Sequence, residues 1–184
     1  MPLRNTKQAY GSVAKMFHWF MAFIIIGLLA VGLIMTDMPV SPDKFKIYGL
    51  HKSFGITVLT LAVLRISWKI MNDQPVLPDM LKAWEKFLAH VGHGLLYVLM
   101  FSMPLSGWAM SSAAGLPVSV FGLFTLPNLV MPDRALKVTF MEVHETLAWV
   151  LIVMIVLHVL AALLHHYHYK NNVLRRMLPF TKEE

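Results

Sequence analysis

Three observations on this 184-residue chain predict an all-α integral membrane bundle of four helices. Charged residues make up only 14% and hydrophobic residues 57%, with a mean hydropathy of +0.61, whereas soluble domains are roughly a quarter charged. Four apolar runs are long enough to cross a hydrocarbon core of about 30 Å. Prolines and charges gather between these runs, where a chain leaves the membrane.

The first run, residues 16–36, is uncharged and follows a short basic lead containing Arg4, Lys7 and Lys15. Asp37, Pro39 and Pro42 are expected to end it. It reads as a retained span, because a signal peptide has a shorter apolar core and then a small-residue cleavage site, and none precedes Asp37. The second span covers about 47–68. Its charge-free centre is short, but Lys52 and Arg65 near its ends can extend their charges to the interfaces, and Trp68 suits an aromatic belt. A hydrophilic connection over 69–86 carries Pro75, Pro78 and a short amphipathic LKAWEKF segment. The third span covers about 87–110, with Pro104 predicting a kink. Residues 111–141 are apolar, but Pro117, Pro127 and Pro132 interrupt them too often for a span. They are expected to form a loop on the membrane surface or a short interfacial helix. The fourth span covers about 142–169, a polar basic tail follows, and residues 1–184 make one transmembrane domain.

Four spans put both termini on one side. That side collects eleven basic residues: Arg4, Lys7, Lys15, Arg65, Lys69, Lys82, Lys86, Lys170, Arg175, Arg176 and Lys182. The other side has five, Lys44, Lys46, Lys52, Arg134 and Lys137, so the positive-inside rule predicts cytoplasmic termini. Acidic residues Asp73, Asp79, Glu85, Glu183 and Glu184 leave the inner side carrying the whole +6 net charge. Asp37, Asp43, Asp133, Glu142 and Glu145 neutralise the outer side. The basic excess is thus explained by membrane orientation, and no nucleic-acid partner is expected.

The histidines carry the chemistry. His144 and His158, fourteen residues apart on the last span, are separated by about 21 Å of helix rise and about 40° of rotation, so they look out from one face at two depths. Imidazole inside hydrocarbon needs a partner. The first helix runs outward and the fourth inward, so His18 lies at the depth of His158 near the cytoplasmic leaflet. His51, opening the second span, lies at the depth of His144 near the outer one. Two imidazole pairs stacked across a bundle suit two haems with both axial positions filled. With no cysteine in the chain there is no thioether attachment and no cysteinyl iron-sulfur cluster, so any haem is held non-covalently. His90 and His93 compete with His18 as partner of His158. His18 is preferred, because Gly92 and Gly94 suit close approach by a porphyrin or a neighbouring helix.

The FHW at 17–19, LHKSFG at 50–55, AHVGH at 89–93, HETLA at 144–148, LHVLAALLHHY at 157–167 and LRRMLP at 174–179 together resemble the bacterial cytochrome b561 family over nearly the whole chain. The resemblance implies a four-helix inner-membrane protein with two b-type haems, ligated by His18 with His158 and by His51 with His144. It further implies a quinone-linked electron carrier, one branch of the family oxidising superoxide at the periplasmic face and reducing ubiquinone.

The expected function is electron transfer between the periplasmic face, with superoxide as a candidate donor, and the quinone pool, which would make the protein a superoxide:ubiquinone oxidoreductase. The alternative is a haem-carrying anchor subunit serving a partner dehydrogenase or periplasmic cytochrome docked on residues 111–141, and a third class is a histidine-lined metal or proton transporter. His165, His166 and His168 cluster with Tyr167 and Tyr169 at the end of the fourth span, and ordinary interfacial anchoring accounts for them better than a metal site. His165, two turns from His158, could also contact a haem propionate or a quinone. His144 and Glu145 begin a zinc-protease signature, but Ala148 stands where its second histidine is needed. The fourteen methionines read as bundle filler, and none is favoured as an axial ligand.

Overall fold

A computed structural model describes residues 2–78 and 80–179. Asp79, Lys182, Glu183 and Glu184, which enter the charge count above, lie outside the described residues. Helix α1 spans Ser12–Asp37, α2 Pro42–Ile70, α3 Ala83–Ala113 and α4 Arg134–Tyr167. All four are long and apolar enough to cross a membrane. Between α3 and α4 lies an antiparallel hairpin of β1, Val118–Val120, and β2, Phe124–Leu126, with Ser119 opposite Thr125.

The helix boundaries follow from local chemistry. Pro42 does not extend the break after α1. It occupies the first turn of α2, where a missing N–H costs nothing, and the Ser41 side chain caps that helix by accepting from Lys44 N–H at 3.2 Å. Likewise Asp133 accepts from Leu136 N–H at 2.8 Å and starts α4 eight residues before the expected span. The α3 helix runs through Pro104 and on to Ala113. There Gly115, at φ 70, turns the chain so that Leu116 N–H reaches back to the Ser111 carbonyl. The apolar segment after α3 is therefore shorter than 111–141, and a hairpin stands where an interfacial loop or helix was expected.

Helix α1 packs on α2, α2 on α3 and α3 on α4. Met21, Val58, Ala62 and Met100 form a small core where α1, α2 and α3 meet, flanked by Ile24, Ile25, Leu28, Leu61, Tyr97 and Phe101. Helix α4 leans on α3 and makes no comparable contact with α1 or α2 among the described residues. Leu151 is its one buried side chain there. Large apolar side chains such as Phe23 and Trp149 face outward, as lipid contact requires.

Each end of the bundle is tied. At the termini end, Asn5 Nδ2 donates to the Asp73 carbonyl at 2.9 Å and Val76 N–H to the Lys7 carbonyl at 2.9 Å. Trp19 Nε1 donates to the Met177 carbonyl at 2.8 Å, and Arg176 Nη1 to the Val76 carbonyl at 2.6 Å. At the other end, buried Ser53 fastens the hairpin to α2. Its hydroxyl contacts the Ser119 carbonyl at 3.1 Å and accepts from Phe121 N–H at 3.0 Å.

Candidate functional site

Four half-buried imidazoles reach across the side of the bundle where α4 stands away from α1 and α2. His18 of α1 and His158 of α4 have ring centroids 6.1 Å apart, and His51 of α2 and His144 of α4 have theirs 6.4 Å apart. An imidazole ligating through one nitrogen, at about 2 Å from the metal, places its centroid about 3.1 Å away, so two on opposite axial positions are separated by about 6.3 Å. Both pairs have that spacing.

The hairpin-end pair is the better fixed. His144 Nδ1 lies 3.1 Å from the Met103 carbonyl and 2.9 Å from Ser106 Oγ. A carbonyl only accepts, so Nδ1 carries the hydrogen and donates it, which leaves Nε2 with a lone pair for a ligand bond. Gly107 allows this ring its place, since a Cβ there would sit 3.1 Å from His144 Cε1. At Gly32 a Cβ would meet His51 Cε1 at 3.4 Å, an ordinary contact distance. His51 Nδ1 is buried without a hydrogen-bond partner. An apolar cavity between the two rings is lined by Leu28, Gly55, Val58, Met100 and Leu151 among others.

At the termini end three imidazoles gather. His93 of α3 has its centroid 5.6 Å from that of His158, and His18 has its centroid 6.1 Å from the same ring. His90 is turned away: its Nδ1 bonds to the Lys86 carbonyl of its own helix at 2.6 Å. A Cβ on Gly92 or Gly94 would meet nothing within 4 Å, so these glycines border open space and no neighbouring helix presses on them. Arg65 Nη2 approaches His18 Nδ1 at 3.2 Å. A guanidinium only donates, so this Nδ1 accepts, a polarity opposite to that of His144. Arg65 and Lys69 also stand over the Tyr97 ring, at 5.7 and 4.8 Å. The roles of Arg65, Ser106 and the Met103 carbonyl were not foreseen from sequence. A small-residue stretch around Ser106 and Gly107 and an arginine near a span end are weak signals on their own.

The remaining histidines lie apart from both pairs. His165 Nδ1 accepts from Asn171 Nδ2 at 2.9 Å, and its ring leans on Tyr169. His166 packs edge-on against Tyr167 and His168 against Tyr169. Among the described residues no group of three or more His, Cys, Asp or Glu side chains converges as a metal cage would.

A four-helix membrane bundle with imidazoles paired between its helices is an arrangement that suits b-type membrane cytochromes. The chain belongs to the prokaryotic cytochrome b561 family, whose family model matches residues 9–180. It is 35% identical to cytochrome b561 homolog 2 of Escherichia coli strain K12 over 180 residues, covering 97% of this chain and 95% of that protein. It is 33% identical to cytochrome b561 homolog 1 of the same organism over 166 residues, 90% of this chain and 94% of that one. It is also 36% identical to the probable superoxide oxidase CybB of Yersinia pestis over 130 residues, 71% of this chain and 73% of that protein. Membership implies a multi-pass bacterial membrane protein that binds b-type haem.

Proposed function

We propose that the protein carries electrons between the periplasmic face and the quinone pool of the bacterial inner membrane, with both termini in the cytoplasm. It holds two b-type haems non-covalently, one between His18 and His158 and one between His51 and His144. The observation that carries this reading is the matched separation of the two imidazole pairs, 6.1 and 6.4 Å, against the axial requirement of about 6.3 Å. Held between these imidazoles, each haem would supply one-electron transfer. The Met103 carbonyl holds the His144 ring with Nε2 free. At the other pair, ligation through His18 Nε2 would need Nδ1 to carry the hydrogen, so Arg65 would turn its guanidinium to another acceptor.

Haem content tests this directly. The purified chain is expected to give a b-type reduced-minus-oxidised spectrum and close to two haems per chain by pyridine haemochrome. His51→Ala or His144→Ala should remove one haem and leave the other bound when haem is in excess. His18→Ala should do the same, while His93→Ala retains both. Loss of haem in His93→Ala but not in His18→Ala would transfer the ligand role to His93, and absence of haem from haem-supplied cells would sink the reading.

Ubiquinone is the proposed acceptor and superoxide the proposed donor, the latter supported by the name of one relative. On the outer side Lys44 Nζ is engaged with the Thr36 and Met38 carbonyls, Lys46 with Asp43, and Lys52 with Ser111 and Pro117. Exposed Arg134 and Lys137 are left as steering charges for an anion. Arg134→Gln with Lys137→Gln should lower a superoxide-driven reduction rate several-fold at low salt and flatten its salt dependence. An unchanged rate and slope would remove superoxide steering from the account. The hairpin region favours a second reading, a membrane anchor for a periplasmic redox partner, because Leu116, Leu123 and Met131 are exposed there without a charge between them. Recovery of a stoichiometric redox partner with the chain would select that reading.

A further inference from the structure

Beyond α3 the chain turns back along the bundle, and no Asp, Glu, Lys or Arg occurs in residues 87–132. Past Gly115 the hairpin runs against α2, with Val118 and Val120 of β1 buried on that helix. Its turn reaches down to Ser53 and Phe54. Phe121 N–H donates to the Ser53 hydroxyl at 3.0 Å, and the Phe54 and Phe121 rings meet edge-on at 5.1 Å. Ser53 lies seven residues past Lys46, whose side chain is 75% exposed, and that interval is about 10 Å of helix rise. On α4, exposed Lys137 stands the same seven residues before His144, which is level with His51. The turn is thus about two helical turns inside the rim of exposed cations. Between Lys46 and Ser53 the one charge is Lys52, and its Nζ is held at the foot of the hairpin, on Ser111 Oγ at 3.3 Å and the Pro117 carbonyl at 3.1 Å.

At that depth the turn presents large apolar side chains. Leu123 is 81% exposed and Phe124 55%. Inside the charged rim of a membrane bundle such side chains continue the lipid-facing surface of the helices. Two features fix the level at the boundary of the leaflet and not in its hydrocarbon. Exposed Glu142 and Glu145 flank His144 on α4. A two-stranded sheet also leaves a ladder edge that hydrocarbon does not tolerate and that headgroups and water satisfy. We propose that the hairpin turn inserts Leu123 and Phe124 into the headgroup–acyl boundary of the adjacent leaflet, so that lipid, and not a docked protein, covers them.

The chain has no cysteine, so a single introduced one carries a nitroxide label without background. Leu123→Cys and Phe124→Cys would be labelled in the full chain reconstituted into phosphatidylcholine vesicles, the second site serving should one variant fail to fold. Phe23→Cys on the outward face of α1 is the lipid standard, and Lys46→Cys is the rim standard. Power-saturation electron paramagnetic resonance compares collisions with oxygen, which concentrates in lipid, and with a neutral nickel chelate, which stays in water. The oxygen-to-nickel ratio at 123 and 124 is expected to exceed that at 46 by about three-fold or more, and to stay below that at 23, nearer the bilayer centre. A ratio at 123 and 124 equal to that at 46 would put the turn in water, overturn the proposal and leave both side chains to a partner protein. Haem enters none of these readings, so their outcome is separate from that of the electron-transfer proposal.

Discussion

Single glycines separate what the polypeptide needs from what a bound group needs. A Cβ on Gly55 would meet nothing within 4 Å of the chain, although Gly55 lines the cavity between His51 and His144. Gly55→Ala should therefore stabilise the apo-protein by about 1 kcal/mol through helix propensity, yet lower haem occupancy at that pair if a porphyrin fills the cavity. Thermal melting of the apo-chain beside haem content of the loaded chain measures both. Gly107→Ala is the converse case: its Cβ would press on His144 Cε1 at 3.1 Å, so the imidazole must tilt and the apo-protein should lose about 1–3 kcal/mol. Ser106→Ala removes a hydroxyl 2.9 Å from His144 Nδ1 while the Met103 carbonyl remains. About 1 kcal/mol of stability should be lost and haem retained, as denaturant titration and the visible spectrum would record.

At the level of elements, the four helices were legible because hydrocarbon demands long uncharged runs, a signal that survives without any tertiary contact. Their ends were not, because capping is decided by one or two side chains. Ser41 and Asp133 each close a first turn that proline spacing had suggested was loop. The hairpin was missed for a related reason. Its turn uses Phe121 at φ 50 beside Gly122 at φ 74, and an aromatic residue in the left-handed region is not a turn signal. Tertiary contacts hold it there: Phe121 meets Phe54 edge-on at 5.1 Å, and its N–H sits on the Ser53 hydroxyl. Ser53→Ala leaves that part-buried N–H without its partner, a loss of about 1 kcal/mol. Faster amide exchange over 116–131, with unchanged exchange in α1, is the expected outcome.

Across the whole molecule, helix rise and alternating direction alone put His18 at the depth of His158 and His51 at that of His144, and the rings of each pair stand beside one another. What sequence could not supply is that α4 stands apart from α1 and α2, since each helix carries apolar residues on most of its surface and no face announces a gap. The knitted floor at the termini end has its own pH dependence. Burial, aided by Tyr97, raises the Tyr10 phenol above its ordinary range against the opposing pull of Arg65 and Arg176. The folded floor therefore holds the neutral phenol. Its stability should persist below about pH 10, the unfolded value, and fall as pH rises beyond it, and Tyr10→Phe should remove that dependence from protease protection of the N-terminal lead. Helix α4 supplies one imidazole to each pair and, among the described residues, packs chiefly on α3. Ligation at either pair would therefore anchor a helix that the other pair also needs anchored, so the first occupant lowers the ordering entropy left for the second. Titration of the apo-chain with haemin should then be sigmoidal, with half-loaded molecules scarce. The protein would in effect pass from empty to fully equipped with few intermediates.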